Sequence, residues 1–211
     1  VARKTREESE KTRQSILDAA ESVFLARGVV TATMADIADA AGISRGAVYG
    51  HYRNKQEVAL AMCQRGFQEI LDTLPLFKAP WCEQIIELLQ LFLRRSATCS
   101  SSERVLEILY IKMEKHEDNC ALFRMRQVFE KRWNHTSRKL LQQAVKHGEL
   151  PAGLDLDMAN ASLLSLYRGV SCTQIWRNPV DKIDWDMIDR LLRSWCNTLR
   201  HCPEFIRQPS P

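Results

Sequence analysis

Residues 45–51 read Arg45-Gly46-Ala47-Val48-Tyr49-Gly50-His51, and the side chains of this run could make directed contacts to a charged, hydrogen-bonding surface. Arg45 carries a planar fork of donors that fits a guanine edge or a phosphate. Tyr49 and His51 can donate to phosphate oxygens. Gly46 allows close backbone approach, and Ala47 is small enough to sit against a base or a thymine methyl. Val48 points the other way, toward a core. This is the chemistry of reading a duplex, not of breaking a bond.

Two short helices and a turn must hold these groups in place. Thr33 followed by Asp36 is a helix start: a hydroxyl accepts from an orphan N–H, and a carboxylate lies at the positive helix end. Met34, Ile37, Ala38 and Ala41 then share one face. Gly42 suits the turn, where a positive φ is cheap only for glycine. Ile43 fills the corner and Ser44 caps the next helix, over roughly 45–51. Asn54 and Glu57 form a capping pair for a further helix, with Lys55 in its first turn. Two short helices about a tight turn are a helix-turn-helix, whose second helix enters the major groove. The plainer reading is two amphipathic helices packing in a bundle. Against it stands the coincidence of Thr33, Ala38, Gly42, Ser44, Gly46, Tyr49, His51 and Lys55 at fixed offsets. The residues assigned to DNA are Thr33, Met34, Ser44, Arg45, Gly46, Ala47, Tyr49, His51 and Lys55.

A chain of 211 residues with 45% hydrophobic and 27% charged content is long enough for a large core and ordinary for a soluble protein. Glycine and proline are few, and no alternating pattern of strands is present. The net charge of +4 does not by itself announce a nucleic-acid binder. The basic groups are local instead: Arg3, Lys4, Arg6, Lys11 and Arg13 form an N-terminal arm able to reach phosphates. No apolar run nears the roughly 18 residues of a bilayer span, and the charged start is unlike a signal peptide. A cytoplasmic protein with no membrane partner is expected. The seven cysteines include no CxxC pair, so neither a zinc ribbon nor a disulfide framework is indicated.

The apolar spacing predicts helices over 9–27, 54–74, 81–95, 103–114, 119–147, 155–176 and 184–200, with a Ser-rich loop at 96–102 and a loose tail after Cys202. The long helix from Asn54 joins the head to everything beyond it. This second part has no nucleophile–base pair, no metal-spaced histidines and no phosphate loop; His116, His135, His147 and His201 are isolated. No enzyme activity, metal or cofactor is expected.

The stretch from Thr33 to Val58 resembles the tetracycline-repressor (TetR) family of bacterial regulators. Lys11-Thr12-Arg13, Ile16-Leu17-Asp18-Ala19-Ala20, Gly28-Val29 and Arg45-Gly46-Ala47-Val48-Tyr49 are similar to the AcrR-type repressors of multidrug efflux pumps. The match is strong over the first quarter of the chain, with weaker echoes at Glu107-Ile108-Leu109, Lys112-Met113-Glu114 and Gly148-Glu149-Leu150-Pro151. Gly50 departs from the pattern, which usually has a bulky aromatic there; its absence is expected to remove helix propensity and packing against the head. The resemblance implies an all-α fold, with a three-helix DNA-binding head at 1–54, a ligand-binding and dimerisation domain at 55–203, and a loose tail at 204–211. It implies a homodimer built on the last two long helices. It also implies a pocket for small hydrophobic, drug-like effectors, lined by Met62, Leu88, Phe92, Leu106, Tyr110, Trp133, Leu164, Tyr167, Arg168 and Ser171. Arg168, within an apolar run, either biases that pocket toward neutral or acidic compounds or reaches solvent.

The expected function is a ligand-responsive repressor that leaves a palindromic, double-stranded operator when an apolar compound binds. Its target is expected to be a multidrug efflux operon. Two rivals remain: a redox sensor on the same fold using a cysteine thiol, and a helical enzyme or carrier whose head is disabled by Gly50.

Overall fold

In a computed structural model the described residues are 5–72, 77–97 and 100–207. Thr5 accepts from the Glu8 N–H at 3.2 Å, and the Glu8 carboxylate accepts from the Thr5 N–H at 2.9 Å. This reciprocal cap starts helix α1 (Arg6–Arg27) three residues before the expected position. Gly28, at φ 79°, ends it. Helices α2 (Met34–Ala40) and α3 (Arg45–Tyr49) follow, and α4 (Lys55–Asp72) starts where Asn54 Oδ1 accepts from the Glu57 N–H at 2.9 Å. The chain continues through α5 (Trp81–Ser96), α6 (Ser101–Glu107), α7 (Cys120–Lys146), α8 (Leu156–Val170) and α9 (Trp185–His201). The fold is all-α. Among the described residues the sole β pairing is an isolated bridge between Leu154 and Ile206, and no helix is long and apolar enough to cross a membrane.

Two expected helices change character. The one predicted over 103–114 passes from α6 into a π-helical turn, Ile108–Lys112, and stops there, with Met113 extended. The one predicted over 155–176 becomes π-helical at Ser171–Ile175. A π turn closes i to i+5 bonds and takes in one extra residue, and residue type gives no warning of it. Ser101 and Ser102, expected in a loop, already belong to α6.

Packing divides the chain into two compact units. The first takes residues 1–74 and 99–129. There α1 lies on α2 and α4, and α2 on α3. Ile16, Ala20, Phe24, Ile37, Ala38, Val48 and Val58 are wholly buried. In this unit α4 and α6 approach so closely at Gly66 that an added Cβ would lie 2.8 Å from Val105 Cγ2 and 3.3 Å from Ser102 Cα. Beside this contact the Arg65 guanidinium lies 2.5 Å from buried Glu21 and 2.8 Å from exposed Asp18, and Glu21 also accepts from the Ser101 hydroxyl. Phe67 stacks on Phe129 with ring centres 4.2 Å apart.

The second unit takes residues 75–98 and 130–211. Ile85, Leu88, Leu89 and Phe92 of α5 are buried, as are Leu163 of α8 and Ile188, Leu192 and Leu199 of α9. Arg193 of α9 grips Glu83 of α5 with bonds of 2.9 and 3.1 Å. The segment after Cys202 was expected to be loose, yet residues 203–207 are tied down. Arg207 N–H donates to the Gly153 carbonyl at 2.9 Å, Asp155 N–H donates to the Phe205 carbonyl at 2.7 Å, and Phe205 is buried. Buried Phe205 and the bridge to Leu154 explain this order.

The first turn of α5 is capped from a distance. Glu149 accepts from the N–H groups of Trp81 and Cys82, each at 2.7 Å. Burial alone would raise the Glu149 pKa, but these two N–H groups outweigh it and hold the carboxyl below its usual value. A depressed folded pKa stabilises above the unfolded value, about 4.3, and that stability is lost as pH falls through the folded value. Glu149→Ala is expected to cost about 1–2 kcal/mol at neutral pH, and its gap from the parent should narrow in urea titrations repeated below pH 4.3 or so. A pH-independent gap would contradict this account.

Candidate nucleic-acid interface and effector region

Local capping builds the head. Thr33 Oγ1 accepts from the Asp36 N–H at 3.2 Å, while Asp36 Oδ2 accepts from the Thr33 N–H at 2.9 Å and from its hydroxyl at 2.7 Å. Those bonds with Thr33, together with Arg27, hold the Asp36 carboxyl below its usual range. Gly42 takes φ 65° at the turn, and Ser44 Oγ accepts from the Ala47 N–H at 3.2 Å. Helix α3 therefore starts where the sequence places it.

Its outward face carries Arg45, Gly46 and Tyr49, all exposed, the last at 54%. Ala47 and His51 are half-buried and Val48 is fully buried. Arg45 and Tyr49 make no hydrogen bond or ion pair among the described residues, so their donors are free for a partner. Thr33 and Ser44 are exposed at the two helix starts, but their oxygens are committed to capping.

Met34 and Lys55 are placed differently from expectation. Met34 is buried in the head, so its side chain is core. Lys55 is half-buried and its ammonium donates to the Val30 carbonyl at 2.6 Å. Burial lowers its pKa, against the pull of Asp118 and Glu114. The N-terminal arm is also shorter than expected. Arg6, Lys11 and Arg13 lie on α1, Lys11 pairs with Glu7, and Arg13 donates to the Tyr52 hydroxyl at 3.2 Å; Arg3 and Lys4 lie outside the described residues. Arg53, which sequence reasoning passed over, is exposed just past α3 with a free guanidinium among the described residues. The signal was a cation directly following His51 and Tyr52.

Residues 16–62 match the family model described as bacterial regulatory proteins, tetR family. The HTH-type transcriptional regulator TtgR of Pseudomonas putida is 33% identical over 178 residues, covering 81% of this chain and 83% of that protein. The chain belongs to the tetR family. The HTH-type regulator SrpR of Pseudomonas putida is 33% identical over 210 residues, 98% of this chain and 93% of its own. Among solved structures, MexZ, described as a key repressor responsible for antibiotic resistance in Pseudomonas aeruginosa, is 43% identical with a TM-score of 0.84, covering 94% of this chain and all of that one. These relatives bear out the AcrR-type kinship, and they lend the thiol-sensing alternative no support. Burial pushes the Cys63 thiol up to about 12, and the Cys202 thiol is tied to Glu204 at 2.8 Å.

Gly50, the departure from the TetR-family pattern, caps α3 at an exposed position with ordinary right-handed dihedrals. A Cβ there would meet only the Ala47 and Gly46 carbonyl oxygens, at 3.3 and 3.5 Å. The expected loss of core packing therefore does not arise, because the position faces outward. Gly50→Ala is expected to leave operator affinity within about twofold and raise stability by at most about 1 kcal/mol. A large gain in affinity would restore the idea of an impaired head.

The residues assigned to the TetR-family effector pocket fall in both units. In the first, Met62 and Leu106 are buried, and Tyr110 lies under Arg126, whose guanidinium carbon is 5.4 Å from the ring centre. Arg126, not singled out from sequence, also donates to the Leu109 carbonyl at 3.0 Å. In the second, Leu88 and Phe92 are buried on α5; Phe92 meets Trp133 of α7 edge-on at 4.8 Å, and Trp133 lies 6.3 Å from Tyr167 of α8. Leu164 lines an open polar groove of about 370 Å³ with Asn134, His135, Arg138, Asp157, Asn160 and Ala161. Arg168 reaches outward: its guanidinium pairs with Glu130 at 2.9 Å and is 48% exposed. The Arg168 charge is therefore met by a carboxylate. Ser171 is wholly buried with no hydrogen-bond partner for its hydroxyl, an arrangement that costs about 1–3 kcal/mol.

Proposed function

We propose that this chain is a ligand-responsive, DNA-binding repressor of a multidrug efflux operon, acting as a cytoplasmic homodimer. Residues 1–54 are its DNA-reading part and residues 55–203 its effector-binding and dimerising part. The observation that carries this reading is the exposed face of α3, with the uncommitted donors of Arg45 and Tyr49 on a capped helix-turn-helix in a tetR-family chain. The reading assigns no enzymatic activity.

In this reading Arg45 contacts a base edge or phosphate, Gly46 and Ala47 admit the duplex closely, and Tyr49, His51 and Arg53 hold phosphates. Thr33 and Ser44 fix the helix starts that face the backbone. Met34 and Lys55 act through their backbone N–H groups at helix starts, their side chains being turned inward. Two heads related by a dyad suit a palindromic site. The exposed face of α8 and α9 supports the dimer: Met158 and Leu191 are 44% and 38% exposed, and Ala161, Ser165 and Gly169 offer small side chains on α8. An effector shifts the equilibrium only by its different affinity for the bound and released conformations.

Fluorescence anisotropy with DNA from upstream of the protein's own gene tests this. Saturable binding should weaken steeply with salt, survive random competitor DNA, and be reversed by apolar drugs. Binding no stronger than to random DNA would overturn it.

A further inference from the structure

In the second unit the first turn of α5 meets the last turns of α9, and bonds on both sides fix how they face each other. Arg193, Cys196 and Arg200 lie along one face of α9, at helical spacing. Arg193 binds Glu83 of α5 at 2.9 and 3.1 Å. Arg200 donates at 3.3 Å to the carbonyl of Glu149, whose carboxylate in turn caps Trp81 and Cys82. Cys196, between the two arginines, therefore comes opposite Cys82. The Cys82 thiol donates a hydrogen bond to the Cys196 sulfur. Both residues are only 3% exposed.

Two thiols in contact present two soft, polarisable sulfurs at one point. Thiolate sulfur selects soft ions, Cu(I) among them, whereas calcium and magnesium ions take oxygen ligands. Among the described residues no three His, Cys, Asp or Glu side chains converge to hold an ion. A zinc ion wants four ligands and would be left two short. Monovalent Cu(I) and Ag(I) bind two sulfurs in line and need no more. The nearby carboxylates are already engaged, Glu149 by two N–H groups and Glu83 by Arg193. Two thiolates and one monovalent cation leave a single negative charge, which the neighbouring Arg200 guanidinium opposes. Trp81 and Glu83, on either side of Cys82, are half-buried, so the pair lies just beneath the surface.

We infer that Cys82 and Cys196 form a two-coordinate site for a soft monovalent cation of the Cu(I) or Ag(I) class, bridging α5 and α9. On binding, each S–H bond is replaced by a sulfur–metal bond, and the two protons pass to solvent. No electron leaves the sulfurs, so the step is not thiol oxidation and needs no oxidant. The ion ties α9 to α5 from within the unit. This input is separate from an apolar effector, and neither depends on the other.

The test titrates the whole, reduced chain with Cu(I) under argon, against bathocuproine disulfonate as a competing chelator. The parent should retain one ion per chain. At about pH 6, where a free thiol is ordinarily protonated, each ion should release about two protons. X-ray absorption on the loaded parent should show two sulfur neighbours and no nitrogen or oxygen ligand. Cys82→Ser and Cys196→Ser should each weaken retention by more than the roughly 10–100-fold that losing a supporting partner costs. Cys120→Ser, which changes an exposed cysteine outside the pair, should bind as the parent does. No ion retained by the parent, coordination other than two sulfurs, or retention unchanged in both pair variants would each overturn the site. The measurements on the parent decide the matter even where a buried serine unfolds a variant.

Discussion

Arg65→Met is expected to destabilise the first unit by about 3 kcal/mol, the lower end of the range for breaking a buried ion pair. The loss is large because Glu21, with its side chain 3% exposed, would lose its cation. The Ser101 hydroxyl still donates to Glu21, which keeps the cost from being larger. Asp18 contributes little, being 68% exposed and screened by water. The double variant Arg65→Met with Glu21→Leu should recover most of the loss, since apolar side chains of similar volume often replace a buried pair without penalty. All five tryptophans (Trp81, Trp133, Trp176, Trp185, Trp195) belong to the second unit. Urea unfolding followed by far-ultraviolet circular dichroism should therefore shift in the variant, while tryptophan fluorescence should shift less. A single variant within about 1 kcal/mol of the parent, the usual effect of an exposed pair, would show that the cluster is solvated.

Arg45→Ala is expected to weaken operator binding between about 30-fold and 10⁴-fold. The range follows from roughly 1–3 kcal/mol for one base interaction, counted twice because a dimer presents two heads. The salt dependence then says what Arg45 touches. If it reads a base edge, the slope of log affinity against log salt should hardly change. If it holds phosphate, the slope should fall by about 1 for each phosphate that is no longer neutralised. Tyr49→Phe removes one hydroxyl per head and should cost less, about 0.5–1.5 kcal/mol for each. Parental affinity in Arg45→Ala would remove α3 from the interface.

The head was largely legible because its determinants are local. Thr33 with Asp36, Gly42, Ser44, and Asn54 with Glu57 each act within four residues, and each appears in the structure as the spacing predicts. What sequence reading missed depends on distant partners. Lys55 turns to the Val30 carbonyl, Arg168 pairs with Glu130, and Glu149 caps a helix that begins 68 residues before it. No local pattern reports such pairings. Arg168 stood out because it interrupts an apolar run, but only the pairing with Glu130 settles where its charge goes. Aromatic spacing marked Phe92, Trp133 and Tyr167, which do meet in a row, whereas periodicity does not register the π turns at 108–112 and 171–175.

At Gly66 the contact between α4 and α6 has no cushion. Most helix pairs are separated by side chains whose rotamers can absorb a small displacement before the neighbouring backbone feels it. Here Val105 already meets the bare backbone of α4, so nothing is left to compress. Helix α4 begins shortly after His51, and its first turns pack under the head. A shift of α6 must therefore arrive at the head undamped, as motion along a stiff rod reaches its far end. Anyone retuning which compounds this regulator answers to should leave position 66 alone, since a side chain there would change how faithfully any signal is passed on.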